Sequence, residues 1–254
     1  MQFGAIIIGD EIMSGKRQDK HMAQVIATLG ARGLDLAWCQ YLADEPGLLT
    51  ATLRRTLATD DVVFSFGGIG ATPDDHTRQC AADAAGVTLH LHPDAEIEIR
   101  ARFGADITPQ RLMMGEFPRG SRIIPNPYNR IPGFSLRHHH FLPGFPQMAW
   151  PMMAWVLDNW YAELHAAGRT AESAIIVRGA GESQLIELMQ ACLANFPGIK
   201  VFSLPHMSEA DRYIELGVRG DAERIAAAIA VLKNGVSGLG FTWSEAGGGE
   251  PVRG

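Results

Sequence analysis

The residues best suited to chemistry lie in one stretch, Gly67-Gly68-Ile69-Gly70-Ala71-Thr72-Pro73-Asp74-Asp75-His76-Thr77. Three glycines within four positions let a backbone turn tightly and bring bare N–H groups against a ligand, with no Cβ in the way. A helix beginning near Pro73 to Thr77 would aim its free N–H groups and the positive end of its dipole into the same space. That pairing suits a phosphate or a pyrophosphate. It is not a P-loop, since no Gly-Lys-Ser/Thr follows, and the glycine spacing is not the dinucleotide fingerprint. Asp74 and Asp75 have two readings. They cap the helix, or they hold a divalent cation that removes the repulsion between carboxylate and phosphate.

A second acidic stretch is Gly9-Asp10-Glu11-Ile12-Met13-Ser14-Gly15. Asp10 is either a turn residue at a strand end or a third member of the charge cluster. Ser14 and Gly15 cradle a phosphate or merely shape the loop. Lys16 and Arg17 read most simply as solvated, with either able to steer an anion. His138-His139-His140 resembles a metal cluster, yet neighbours on a strand alternate faces, so at most two can share a side. The run reads as the exposed turn of a hairpin. His206 and Glu209 read as surface residues.

The elements that must position these groups follow from periodicity. Phe3 to Gly9 and Asp61 to Phe66 are short apolar runs that end in glycine, the pattern of strands buried on both faces. Leu34 to Tyr41 reads as a strand between them. Met22 to Gly30 and Glu45 to Ala58 repeat their apolar residues at helical spacing. Strand–helix–strand–helix–strand predicts a parallel sheet with right-handed crossovers. Ligands sit at the carboxyl ends of such strands, so both acidic stretches fall on one rim. Further on, Thr77 to Ala85 and Asp94 to Phe103 read as helices and Gly133 to Leu142 as a β-hairpin. Pro143-Gly144-Phe145-Pro146 leads into a helix carrying Met148, Met152, Trp155 and Leu157, whose bulk suits the core or a subunit contact.

After about residue 168 the pattern changes. Glu172 to Arg178, Lys200 to Leu204, Tyr213 to Val218 and Leu239 to Trp243 read as strands. Glu182 to Ala194 and Asp221 to Leu232 read as helices, which together suggests a small α+β unit of split-βαβ type. The expected organisation is a ligand-binding domain over 1–168, the small domain over 169–246 and a flexible tail over 247–254.

The 254 residues are 46% hydrophobic and 20% charged, with a net charge of -6. This balance belongs to a globular protein and disfavours a nucleic-acid partner, which calls for a basic face. The apolar run at the N-terminus is too short to span a bilayer and lacks the basic start of a signal peptide, so a cytoplasmic location without a membrane partner is expected. Cys39, Cys80 and Cys192 are too widely spaced for a zinc ribbon and read as buried free thiols.

Ile8 to Gly15 with Gln18-Asp19, Gly67 to Asp75, Ile124-Pro125-Asn126-Pro127 and Leu142 to Pro146 occur in this order. Together they resemble the molybdopterin-binding-like domain of the competence/damage-inducible protein A family, over about residues 1 to 165. Gly179-Ala180-Gly181-Glu182-Ser183 resembles the start of that family's small middle domain. Its C-terminal nicotinamide mononucleotide deamidase domain has no counterpart in this sequence, so that activity is not expected. The resemblance implies a three-layer α/β/α sandwich and a homo-oligomer (dimer or trimer). It also implies a pyrophosphatase that uses magnesium, manganese or cobalt on ADP-ribose or a related nucleotide. Asp75, Asp74 and Asp10 are the expected catalytic and metal-binding residues. Gly67, Gly68, Gly70, Thr72, Ser14, Asn126 and Gly144 are the expected substrate contacts. The rival readings are a molybdopterin-binding or adenylyl-transferring protein, and a nucleotide-binding module without catalysis.

Overall fold

The computed structural model describes residues 1–165, 170–207 and 212–246. The expected tail 247–254, Glu209 and residues 166–169 near the expected boundary lie outside them. The chain divides into two compact units, Met1–His165 and Ala166–Gly254. No helix among the described residues is long and apolar enough to cross a membrane.

The first unit is built on a six-stranded sheet. Its strands are β1 (Phe3–Ile8), β2 (Leu36–Leu42), β3 (Val62–Phe66), β6 (Arg122–Ile124), β7 (Gly133–Leu136) and β8 (His139–Leu142), in the order β2-β1-β3-β8-β7-β6. β2, β1, β3 and β8 run parallel, and β7 and β6 return antiparallel. β1 and β3 are buried along their whole length because each has a strand on either side and helices over both faces.

Alternate side chains make the two cores. Ala5, Ile7, Phe64 and Phe66 face Val25 and Leu29 of helix α2 (His21–Gly30) and Met152, Met153, Val156 and Leu157 of helix α7 (Pro146–Trp160). Ile6, Ile8 and Val63 face Leu49 and Leu53 of α3 (Pro46–Thr56) and Cys80 and Ala81 of α4 (Thr77–Ala85). The result is a three-layer α/β/α sandwich. Elements without a clear sequence period complete it: the one-turn helix α1 (Asp10–Met13), α6 (Pro109–Met113), and the ribbon of β4 (Leu89–Leu91) and β5 (Glu116–Pro118) beside α5 (Pro93–Phe103).

The second unit is an antiparallel sheet, β10-β11-β9-β12, formed by β9 (Thr170–Arg178), β10 (Lys200–Met207), β11 (Arg212–Asp221) and β12 (Thr242–Glu245). Helices α8 (Ile186–Asn195) and α9 (Ala222–Gly238) share its core, which gives the split-βαβ order. Glu182–Gln184 is a separate 3-10 turn rather than the start of α8. α9 runs beyond Leu232 because its buried stripe, Ile225, Ala228, Ile229 and Leu232, continues one turn further to Val236.

The histidine run corrects the expected exposed turn. Arg137 and His138 do form the hairpin turn, but His139 and His140 are 1% and 0% exposed. β8 is not a free hairpin strand, since it lies between β3 and β7 with both faces covered. The Thr56 hydroxyl donates to the carbonyls of Thr52 and Leu53, so it accepts from Nε2 of His139, 2.9 Å away. His140 bridges the Ser135 hydroxyl (2.7 Å) and the Tyr161 hydroxyl (2.9 Å). Cys39 also departs from expectation, being only half-buried, on β2 at the sheet edge, while Cys80 and Cys192 are buried.

Burial holds His139 down at about 3 and drives His140 well below its ordinary value. An unfolded histidine takes up its proton near 6.5, so in that window the unfolded chain binds protons that the folded one refuses. Stability therefore falls as pH falls, by about 2 kcal/mol per histidine between about pH 7 and about pH 5. Thermal melts of the intact protein are expected to show a lower Tm at the acidic end, with a smaller drop in His139→Asn. Equal drops in the two proteins would refute this.

Candidate functional site

β1 and β3 are direct neighbours, so the chain leaves them at adjacent points on the carboxyl edge of the sheet. A Cβ on Gly67, at φ 106, would stand 2.5 Å from the carbonyl oxygen of Ile8. Only glycine lets the second exit turn this close against the first. Gly68 follows at φ 69, packed on the Thr77 hydroxyl. Thr77 locks the turn, donating its hydroxyl to Gly67 O (3.1 Å) and its N–H to Gly68 O (2.9 Å). Among the described residues, the N–H groups of Gly68, Ile69, Gly70 and Ala71 have no hydrogen-bond partner. All four residues line a cleft of about 420 Å³, so these donors border a space that a ligand can enter.

Below the turn lies a buried arginine. Arg78 Nη2 donates to Gly70 O at 2.8 Å and Nη1 donates to Met113 O, while Nε has no partner. Burial pulls this guanidinium below its ordinary value, and Glu116 and Asp75 oppose that shift. The third wall comes from β8. His21 is stacked on Phe66 with ring centres 4.5 Å apart, and its Nδ1 accepts from the Trp150 indole N–H at 3.3 Å. Its Nε2 therefore carries a proton and donates to Gly144 O at 3.0 Å, and burial pulls the ring below its ordinary value against that bond and the Asp19 charge. Asp19 fixes the start of the same helix by accepting from the N–H groups of His21 and Met22.

Gly67, Gly68, Gly70, Thr72, Asp74, Asp75, Asn126 and Gly144 all line the cleft. Asp10 and Ser14 do not, and instead border a shallow surface depression with Met13 and Lys16. The reason is a clasp at the next strand exit. Asp10 N donates to Asp44 Oδ2 (2.9 Å) and Asp44 N donates to an Asp10 carboxylate oxygen (3.1 Å), which holds Asp10 toward β2. Glu11 and Asp44 take its place in the cleft. Asp44 was discoverable, since Leu-Ala-Asp-Glu-Pro follows the strand next to β1 at the same rim.

Neither Asp74 nor Asp75 caps α4, whose N-cap is His76 without a side-chain bond. Asp75 Oδ2 instead accepts from Thr72 N (2.8 Å) and the Thr72 hydroxyl (2.5 Å), closing a four-residue turn. The Thr72 side chain nearby and the Asp74 backbone N–H hold the Asp74 carboxyl below the usual carboxylate range. Partial burial pushes the Asp44 carboxyl up. The Asp10 N–H opposes the shift, while the charges of Asp10, Glu11 and Asp74 reinforce it. Acids from three strand exits thus feel one another across the cleft mouth. Even so, no group of three or more His, Cys, Asp or Glu among the described residues is arranged to hold a metal ion. Asp10, Asp74 and Asp75 therefore do not form a ligand triad. Asn126 lines the cleft, and its carboxamide also shapes the 126–131 turn, with Nδ2 donating to Ile131 O and Oδ1 accepting from Tyr128 N.

Comparison with known proteins agrees with this fold. Residues 4–163 match the family described as the probable molybdopterin binding domain. A protein of Caldivirga maquilingensis is 28% identical over 235 residues, 88% of this chain and 90% of its own. A CinA-like protein of Desulfovibrio desulfuricans is 30% identical over 238 residues, 91% of this chain but 55% of its own, so the chain spans about half the length of that relative. The crystal structure of CinA from Thermoplasma acidophilum, a protein of unknown function, matches with a TM-score of 0.57 and 27% identity, covering 63% of this chain and 98% of that one. Over its first unit the chain belongs to the molybdopterin-binding domain family, in the form found in CinA-like proteins.

Proposed function

We propose that the cleft binds a small ligand in which a phosphate or pyrophosphate is joined to a flat heterocycle, with a molybdopterin as the leading member of that class. The carrying observation is the run of four unpartnered N–H groups, Gly68 to Ala71, turned around a glycine bend at the edge of a parallel sheet. Such a run stabilises an anion without side-chain charge. The apolar remainder of the cleft, Met114, Ile131, Phe145 and Met148, suits a ring. The family description names the pterin, which favours it over a nucleotide.

A second reading is a metal-dependent pyrophosphatase acting on ADP-ribose or a related nucleotide. Its support is the raised Asp44 carboxyl, where burial is reinforced by the charges of Asp10, Glu11 and Asp74 beside a phosphate cradle, a penalty that a cation would relieve. The donor set fits a hard divalent ion of the magnesium, manganese or cobalt kind. Such ions take one or two carboxylates and complete their shell with water and substrate oxygens. Asp74 and Asp75 would hold the ion, with Glu11 and Asp44 lining the same cleft. When bound, the ion neutralises phosphate charge and activates water. The glycine turn orients the phosphates, and Thr72 aims the Asp75 carboxylate through its N–H and hydroxyl. Adenylyl transfer to a pterin would use the same cradle.

Titration of the protein with molybdopterin, ADP-ribose and AMP, with and without magnesium, tests both readings. The first expects micromolar or tighter molybdopterin binding, and no binding of any of the three ligands rejects it. The second expects AMP release from ADP-ribose that chelation abolishes. Gly70→Ala would press its Cβ on Asp75 Oδ2, 2.5 Å away, and is expected to weaken ligand binding about tenfold with little change in Tm. Unchanged affinity would remove the turn from the site. Asp75→Asn is expected to cut any hydrolysis by about 100-fold or more. In metal-free buffer it should bind phosphate-bearing ligands at least as tightly as wild type, because a repelling charge has gone. Full hydrolysis by this variant would exclude Asp75 from the chemistry.

A further inference from the structure

One cationic side chain lines the cleft among the described residues, Arg17, and it shares the space with Glu11, Asp44, Asp74 and Asp75. Elsewhere in this unit arginines pair readily. Arg32 binds Asp158 at 2.7 Å, Arg100 binds Glu96 at 2.7 Å, and Arg130 binds Glu98 at 2.8 Å. Arg17 forms no ion pair and no side-chain hydrogen bond among the described residues, although carboxylates line the same cleft. Its donors are therefore available to a ligand.

The loop is shaped to deliver this residue. Gly15, at φ 72, turns the chain back after α1, and the Arg17 N–H is tied to Glu11 O at 2.9 Å. Lys16, one position earlier, borders the outer depression with Asp10 and Ser14 instead. Two adjacent cations are thus sorted to different places, and one reaches the cleft. A guanidinium presents a planar fork that matches two oxygens of one phosphate.

We propose that Arg17 is a specificity-determining residue that selects ligands carrying a second phosphate beyond the one held by the glycine turn. The proposal rests on the reading that the turn binds an anion. A diphosphate-bearing ligand would place one phosphate on the Gly68–Ala71 donors and the other on the Arg17 fork. A monophosphate would engage the first position alone and would meet the carboxylates without a compensating cation.

The test is calorimetric titration of the intact protein with ADP, AMP, inorganic pyrophosphate and inorganic phosphate in metal-free buffer. Wild type is expected to bind each diphosphate more tightly than the matching monophosphate. Arg17→Gln should weaken ADP and pyrophosphate by about tenfold or more and leave AMP and phosphate within about twofold. Arg17→Lys should recover part of the loss, and Lys16→Gln should change nothing. Arg17→Gln weakening all four probes alike, or none, would overturn the assignment, as would an equal effect of Lys16→Gln. Wild type that binds no probe would overturn both this assignment and the anion-binding reading of the glycine turn. Retained phosphate binding with no Arg17 effect would overturn this assignment alone.

Discussion

The site depends on a close approach of two peptide chains. β1 and β3 leave the sheet side by side, and Gly67 passes so near the Ile8 carbonyl that no Cβ fits between them. From that contact the rest follows. The turn can then fold over the Thr77 hydroxyl with its following N–H groups left unpartnered, and Asp44 comes within electrostatic reach of Asp10, Glu11 and Asp74. A bulkier residue at 67 would have to push the second exit outward and open the array of donors.

Two opposing fields meet in this cleft. The unpartnered N–H groups attract negative charge, and Glu11, Asp44, Asp74 and Asp75 repel it. Aligned donors act on an anion at hydrogen-bond range, whereas partly exposed carboxylates act on it through solvent. The acids still set a threshold, so a ligand must bring its own compensation or find it in a cation. Burial raises the Asp44 carboxyl, and the charges of Asp10, Glu11 and Asp74 add to that rise.

Much of the scaffold was legible in the sequence because it rests on local signals. Phe3 to Gly9 and Asp61 to Phe66 announce buried strands by composition, and the helices between them by period. The Gly67–Gly70 turn announces itself by residue type, and Thr77 to Ala85 appears as a helix with the expected bounds. What was not legible needed partners distant in sequence. Asp10 is held out of the cleft by Asp44, 34 positions away, and that backbone exchange leaves no trace in the spacing of either residue. His139 and His140 are buried because β3 pairs with the hairpin, a neighbour that the hairpin's own sequence does not reveal. Asn126 lines the cleft as expected, and its carboxamide also closes the turn to Ile131, a role that residue type alone does not separate from ligand contact.

The buried arginine under the turn has a mechanical meaning. Arg78 grips the Gly70 carbonyl with one arm and the Met113 carbonyl with the other, and Met114, the next residue, stands on the cleft wall. The span between the glycine floor and that wall is consequently gauged by a rigid guanidinium plane. Prising the two sides apart would strip a dehydrated charge of both acceptors at once. This part of the aperture thus behaves as a calliper with a locked jaw, and guests are sorted here by whether they fit a preset opening.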